Sequence, residues 1–346
     1  MNSHTHELTV FEVVRETADA VSLVFDIPSE IADKFAYSPG QFLTLKVPSE
    51  QTGSVARCYS LSSSPHRDKR LSVTVKRTVD GYASNWICDN AKPGAKITVL
   101  EPSGTFVPKT LDHDVLLFAG GSGVTPILSI VTSVLVAGTG KVAVVYANRD
   151  KDSVIFAQRL QQLSDEFSDR LTVLHWLESE SGLPTPEGIA ELARPYQDRD
   201  LYLCGPAGYS AAVREALAVL GVAPGALRHE EYISLQNNPF DEAPIVIPEP
   251  QELGDTAVVE VEFKGETFEL SWPKETPLLD VLLAKGIDAP YVCRESACGT
   301  CVCTVKEGEV EMRMNESLID EELEAGIILA CQARPLTHRV RVAFDQ

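Results

Sequence analysis

The sequence predicts three domains of different class: an antiparallel β-barrel, a parallel-sheet α/β domain and a small β-rich domain at the C-terminal end. Three observations carry this. The chain has 346 residues, where roughly 100–200 residues make one domain. Its first third breaks into short apolar runs punctuated by glycine and proline, and its middle third alternates buried-strand runs with stretches of helical spacing. Six of its cysteines stand after residue 200, four of them in one short burst.

The barrel is expected over residues 1–110. Leu8–Val14, Ser22–Asp26, Phe42–Val47, Leu71–Arg77 and Ile97–Leu100 read as strands, separated by Pro39-Gly40, Pro93-Gly94 and Ser103-Gly104. Many short strands with such turns suit an antiparallel barrel or sandwich. Over 111–238 the run Val115-Leu116-Leu117-Phe118-Ala119 is a buried strand, and Lys141–Tyr146, Leu171–Trp176 and Leu201–Cys204 repeat it. Val154–Leu163 and Ser210–Leu220 read as helices between them. That alternation predicts a parallel sheet flanked by helices. Residues 239–256 are acidic and proline-rich and read as a linker. The last domain, 257–346, opens with a hairpin, Ala257–Phe263 and Thr267–Trp272, followed by a short helix at Leu278–Lys285.

The formal net charge is −20, which disfavours nucleic-acid binding because that function needs a basic stripe. Residues 241–346 hold 22 acidic against 9 basic side chains. This asymmetry reads as an interaction surface or as a solvated acidic face. No window approaches the ~18 uninterrupted apolar residues of a membrane span. The N-terminal residues lack the basic and apolar regions of a signal peptide, so the expected location is cytoplasmic and away from membranes.

The most specific motif is Cys293-Arg294-Glu295-Ser296-Ala297-Cys298-Gly299-Thr300-Cys301 with a distant Cys331. A C-x4-C-x2-C spacing with a fourth cysteine far downstream is that of a [2Fe-2S] site of plant type. Thiolates suit both irons, and the small residues between them let backbone N–H groups approach. Zinc is the rival metal, but it usually pairs one close cysteine pair with another. Cys303 reads as a packed strand residue, and Cys58, Cys88 and Cys204 as small buried apolar groups.

Further upstream, Arg57-Cys58-Tyr59-Ser60-Leu61-Ser62 combines residue types that serve a flavin nucleotide. Arg57 and Tyr59 share one face of a strand. A guanidinium fork suits a pyrophosphate, a tyrosine ring stacks on an isoalloxazine, and Ser60 offers a hydrogen bond at the flavin edge. Val75-Lys76-Arg77 and Gly81-Tyr82-Ala83-Ser84 follow, the latter a glycine turn opening a helix whose N–H groups and Ser84 hydroxyl could cradle phosphate. An ordinary strand end is the alternative for Arg57–Ser62 alone.

The turn Ala119-Gly120-Gly121-Ser122-Gly123-Val124-Thr125-Pro126 directly follows a predicted strand. It is not a Rossmann fingerprint, since Pro126 replaces the last glycine. Gly121 and Gly123 still permit close approach of a pyrophosphate, with Thr125 as a helix cap and Pro126 in the first helical position. Cys204-Gly205-Pro206 makes a second such turn. Each turn alone is also what a tight strand–helix connection needs. Arg149 with Ser153 is a candidate for a 2′-phosphate, which leaves NADPH possible beside NADH. Glu230-Glu231-Tyr232 closes the segment, with a polar edge strand as its structural alternative.

The ensemble resembles the ferredoxin–NADP reductase superfamily, and the final segment resembles plant-type ferredoxins. The order of parts is similar to reductases fused to a C-terminal ferredoxin, the electron-transfer components of two-component oxygenases of the 3-ketosteroid 9α-hydroxylase type. Stretches such as Val73-Thr74-Val75-Lys76-Arg77, Tyr146-Ala147-Asn148-Arg149-Asp150 and Leu279-Asp280-Val281-Leu282 carry that similarity across most of the chain. The resemblance implies a FAD-binding barrel, a NADH-binding domain and a β-grasp domain with the cluster on Cys293, Cys298, Cys301 and Cys331. It implies Arg57, Tyr59, Ser60, Leu61, Val75, Lys76, Gly81, Ala83 and Ser84 at the flavin, Cys204 beside the nicotinamide, and Glu230 and Tyr232 against the flavin. Tyr59, Ser60, Cys204 and Tyr232 would surround the reacting atoms. It further implies a Rieske-type oxygenase partner acting on a steroid ring. Phenylacetyl-CoA epoxidation and aromatic-ring hydroxylation are the alternatives within this chemistry, and an iron–sulfur redox sensor without turnover is the alternative outside it. Ser296 departs from the glycine common in ferredoxins, and a serine is small enough for the loop to tolerate.

Overall fold

A computed structural model describes residues 4–232, 235, 238–241 and 256–344. The linker expected at 239–256 therefore lies, from residue 242 to 255, outside the described residues. The chain forms two compact units, one over residues 5–234 and the other, with His4, over 235–346. No helix among the described residues is long and apolar enough to cross a membrane.

The first unit begins with β1 (Thr5–Arg15), β2 (Ala20–Asp26), β3 (Phe42–Ser49), β4 (Gly53–Ser60), β5 (Leu71–Lys76), α1 (Tyr82–Asn90) and β6 (Lys96–Leu100). The six strands run in the order β4-β3-β6-β1-β2-β5. A bridge between Leu61, just past β4, and Val73 of β5 brings the two edges together, which removes the open edges a flat sheet would present. Leu8, Leu23, Leu43, Leu45, Leu61 and Val73 are fully buried inside.

The same unit continues with β7 (Val115–Gly120), α2 (Val124–Ala137), β8 (Val142–Asn148), α3 (Ala157–Glu166), β9 (Leu171–Leu177), α4 (Glu178–Ser181), α5 (Pro186–Ala193), β10 (Asp200–Cys204), α6 (Ala207–Val219) and β11 (Leu227–Glu230). The sheet is parallel, ordered β11-β10-β7-β8-β9. Every residue of β7 and β8 is buried, as expected of central strands covered on both faces. The order reverses between β7 and β10, and ligands of such sheets sit beyond the strand ends at that point. The helix expected from Val154 starts three residues later. Phe156 takes a left-handed φ of 63° and Val154–Phe156 are buried, so this segment packs into the core as a bend rather than extending the helix.

The second unit contains β12 (Thr256–Phe263), β13 (Glu266–Pro273), α7 (Leu278–Ala284), β14 (Val302–Glu307), β15 (Val310–Met312), α8 (Asp320–Glu324), β16 (Ile327–Leu329), β17 (Ala333–Pro335) and β18 (Arg339–Ala343). Five strands form a mixed sheet, β13-β12-β18-β14-β16, and β15 pairs with β17. Leu278, Leu279, Val281 and Leu282 of α7 pack with Val259, Val261, Trp272, Val340 and Val342 in one core, the helix-on-sheet arrangement of a β-grasp. Trp272 is fully buried and donates its indole N–H to the Thr276 carbonyl at 2.8 Å, so its one polar atom is satisfied.

Candidate functional site

At the switch point of the parallel sheet, two turns meet. Cys204 at the end of β10 is in register with Ala119 of β7 and with Glu230 at the end of β11. The turns approach so closely that a Cβ on Gly123 would lie 2.0 Å from the Cys204 carbonyl oxygen. One on Gly120 would lie 2.8 Å from both Pro206 and Tyr209. Glycine is therefore required here for packing of the two turns as well as for approach of a ligand.

The strand ends bring together side chains that are far apart in sequence. Ser60, at the end of β4, donates to Glu230 Oε2 at 3.0 Å. The Tyr232 hydroxyl lies 3.4 Å from Ser60 Oγ and 2.8 Å from Thr125 Oγ1, and it donates to the Ser122 carbonyl at 3.2 Å. Cys204 Sγ stands 4.0 Å from the same Glu230 oxygen. Ser60, Thr125 and Cys204 are buried, whereas Tyr232 is 48% exposed. Among the described residues the hydrogen bonds of that ring are all at its hydroxyl end, and the exposed remainder offers an apolar face to a planar partner.

Burial dominates the electrostatics of this pocket. Desolvation pushes the Glu230 carboxyl from its ordinary 4.5 up to about 7, against the opposing hydrogen bond from Ser60. Desolvation, then the neighbouring Glu230, holds the Cys204 thiol well above its ordinary value. The Tyr232 hydroxyl is raised in the same way. The pocket thus keeps a protonatable carboxyl poised near neutrality beside groups that stay neutral.

The nucleotide-binding candidates are arranged around it. No side chain caps α1, α2 or α6, so the first-turn N–H groups of all three helices are uncommitted to capping side chains, as phosphate sites require. Gly121 has φ 52°, and a Cβ there would stand 3.6 Å from Lys76 Nζ. Arg57 and Tyr59 share the partly exposed face of β4. Leu61, Val75, Ala83 and Ser84 are buried. These residues fit a flavin nucleotide: stacking ring, guanidinium, uncapped helix and a hydroxyl at the strand end.

Three details correct the sequence reading and a fourth adds to it. Thr125 does not cap α2: its hydroxyl donates back to the Ser122 carbonyl at 3.0 Å and meets Tyr232. Pro126 is the third residue of α2, not the first, which is tolerated because N–H groups of the first turn lack helical partners. The Ser84 hydroxyl accepts from the Thr78 N–H at 3.1 Å, so it also braces the turn before α1, and its hydrogen stays available to a phosphate oxygen. Ser153 is buried and locked in a reciprocal cap with Asp150, and Arg149 pairs with Asp19 at 3.0 Å. That serine therefore does not present its hydroxyl to a 2′-phosphate. Sequence reasoning missed Asp19, which lies 4.0 Å from Lys76 as well and ties the β1–β2 turn to both cations. A lone aspartate in a turn carries no sequence signal for this.

In the second unit the loop between α7 and β14 carries Cys293, Cys298 and Cys301, and Cys331 follows β16. All four thiols are buried. They come as two pairs: Cys293 with Cys298, and Cys301 with Cys331. Within each pair one thiol is held low by the hydrogen bond from its partner, Cys298 in the first and Cys331 in the second. No trio of His, Cys, Asp or Glu among the described residues is gathered for a single ion. Two pairs suit a dinuclear group better than a mononuclear one. Backbone donors converge on the sulfurs, with the Glu295 N–H 3.2 Å from Cys293 Sγ and the Ser296 N–H bonded to Cys331. Left-handed φ at Arg294, Ser296 and Gly299 turns the backbone this way. Arg294 is held by Asp280. Gln332, next to Cys331 and missed in the sequence, places Nε2 3.7 Å from that sulfur. The residues fit a [2Fe-2S] cluster.

Comparison with known proteins agrees with this geometry. The family model for an oxidoreductase FAD-binding domain matches residues 7–107, that for an oxidoreductase NAD-binding domain residues 117–215, and that for a 2Fe-2S iron-sulfur cluster binding domain residues 261–336. The chain is 53% identical, over 97% of its length and 96% of the relative's, to the ferredoxin reductase component of 3-ketosteroid-9-alpha-monooxygenase from Rhodococcus rhodochrous. It is 32% identical, over 98% of both chains, to one of the proteins of the 1,2-phenylacetyl-CoA epoxidase from Escherichia coli. A solved phthalate dioxygenase reductase shares the fold over 98% of each chain at TM-score 0.54 and 22% identity. The chain is thus an oxidoreductase with FAD, nicotinamide nucleotide and [2Fe-2S] sites.

Proposed function

The chain belongs to the family of ferredoxin reductase components of 3-ketosteroid-9-alpha-monooxygenase, and on that premise we propose that it draws electrons from NADH and delivers them to a Rieske-type oxygenase that hydroxylates a 3-ketosteroid at the 9α position. The proposed domain limits are 1–110, 111–238 and 257–346. The observation that carries the reading is the meeting of Ser60, Thr125, Cys204, Glu230 and Tyr232 at the switch point, beside two glycine turns.

When bound, a flavin accepts a hydride and gives up electrons singly, and a [2Fe-2S] group relays them one at a time. The chain's own residues orient and insulate. Arg57 and the uncapped α1 would hold the FAD pyrophosphate, and Tyr59 would stack on the ring system. The turns at Gly121–Gly123 and Gly205-Pro206 would seat the nicotinamide nucleotide beside Cys204. The Tyr232 ring would cover the flavin and yield its place to the nicotinamide, since among the described residues its hydrogen bonds are all at its hydroxyl end. Ser60 and Glu230 would hold a proton at the flavin edge, where a carboxyl poised near pH 7 exchanges it readily. Orientation of this kind supplies much of the rate of a transfer that needs no nucleophile. NADH is favoured over NADPH because Ser153 and Arg149 are already engaged.

Reconstitution tests the proposal. The purified chain, NADH and a 3-ketosteroid 9α-oxygenase should convert a 3-ketosteroid to its 9α-hydroxy product. Failure there, with turnover restored by a phenylacetyl-CoA epoxidase or an aromatic-ring oxygenase, would assign the chain to another oxygenase.

A further inference from the structure

Among the described residues of the cluster loop, Ser296 combines a hydroxyl without a hydrogen-bond partner with a left-handed backbone. It is 1% exposed. Its hydroxyl has no hydrogen-bond partner among the described residues, although burying a hydroxyl unpaired costs roughly 1–3 kcal/mol. Its φ of 63° lies in the left-handed region, where a residue with a Cβ is disfavoured by roughly 1–2 kcal/mol. The serine is thus doubly costly where glycine would be free of both penalties. Its own N–H is bonded to the Cys331 thiol, so its hydroxyl sits within one residue's reach of the thiol pair Cys301 and Cys331.

We propose that the Ser296 hydroxyl donates a hydrogen bond to the sulfur of the [2Fe-2S] group and raises its reduction potential. This rests on the reading that Cys293, Cys298, Cys301 and Cys331 hold that group. A cluster that has gained one electron carries one more negative charge, and a donor aimed at its sulfur stabilises that form more than the oxidised one. Glu295 and Ser296 already present backbone N–H groups to ligand sulfurs. The hydroxyl adds a donor that a glycine loop cannot supply. The consequence is functional: a higher potential makes electron transfer into the cluster from the flavin side more favourable and onward delivery less so. Ser296 is in this sense a positioning residue that sets the level of the relay.

Redox titration of the full chain, monitored by electron paramagnetic resonance, tests this. In Ser296→Ala the hydroxyl is lost and the strained φ retained; in Ser296→Gly both are removed. Both variants should show the reduced-to-oxidised ratio at a fixed ambient potential fall by roughly tenfold, equivalent to about 59 mV for one electron. Ser296→Gly should in addition melt at a higher temperature than Ser296→Ala. Should the alanine variant fail to load, the glycine variant decides alone. Variants that hold two irons per chain and titrate at the wild-type potential would overturn the proposal. If Cys298→Ser kept its cluster, the ligand reading would fail instead, so the two failures are distinguishable.

Discussion

The pocket in residues 5–234 draws Ser60, Thr125, Cys204, Glu230 and Tyr232 from four separate segments, joined by hydrogen bonds spanning up to 172 positions. The thiol site takes three of its four cysteines from nine consecutive residues. The first depends on side chains delivered by strand ends and held by folding at a distance. The second depends on local backbone, forced into left-handed φ at Arg294, Ser296 and Gly299. A site of the first kind is sensitive to changes far from its chemistry; one of the second kind tolerates them but fails when a loop residue is changed.

The largest expected effect lies in the local site. Cys298→Ser should abolish the cluster's visible absorbance and paramagnetic signal, because it removes one thiol of a pair. Cys303→Ser should keep both, since Cys303 is a buried core residue of β14 paired with Ile328. A lost cluster in the second variant would break the comparison, because it would show the loop depending on its packed surroundings.

Next comes the dispersed site. Ser60→Ala and Glu230→Gln should slow reduction of the flavin by NADH roughly a hundredfold in stopped-flow traces, while leaving the cluster spectrum unchanged. A third and smaller effect probes distance. Arg170 donates to the carbonyls of Val134, Leu135, Gly138 and Gly140, at and beyond the end of α2. Arg170→Ala should cost about 2 kcal/mol of stability by denaturant unfolding at the end of α2 opposite to Thr125, and leave the rate of flavin reduction little changed.

How far each site can be read from sequence follows the same division. The cysteine spacing is written in adjacent residues, so all four candidate ligands stand where the structure pairs them. The repeating strand–helix rhythm likewise gives the parallel sheet, because β7 and β8 are buried throughout. The Thr125–Tyr232 bond, the Asp19 contacts with Lys76 and Arg149, and the bend at Val154–Phe156 are tertiary facts with no local pattern. Helical spacing extended α3 too far because buried apolar residues of a bend share that periodicity.

A last effect concerns pH. Glu230 is protonated below its ordinary 4.5 in both folded and unfolded states. Between 4.5 and about 7 only the unfolded state ionises, so stability present below 4.5 is progressively lost as pH rises through about 7. Thermal melts across this range should show that slope, and Glu230→Gln should flatten it. A variant with an unchanged slope would place the titration elsewhere.

The central claim is that hydride enters through the dispersed site and leaves as single electrons through the local one. Rapid-freeze electron paramagnetic resonance after anaerobic mixing of the loaded chain with NADH tests it most directly, with flavin absorbance followed in parallel. The account predicts that flavin bleaching comes first and the reduced-cluster signal grows in afterwards. In Glu230→Gln both should be delayed together; a cluster signal that keeps its wild-type rate while flavin bleaching slows would contradict the account.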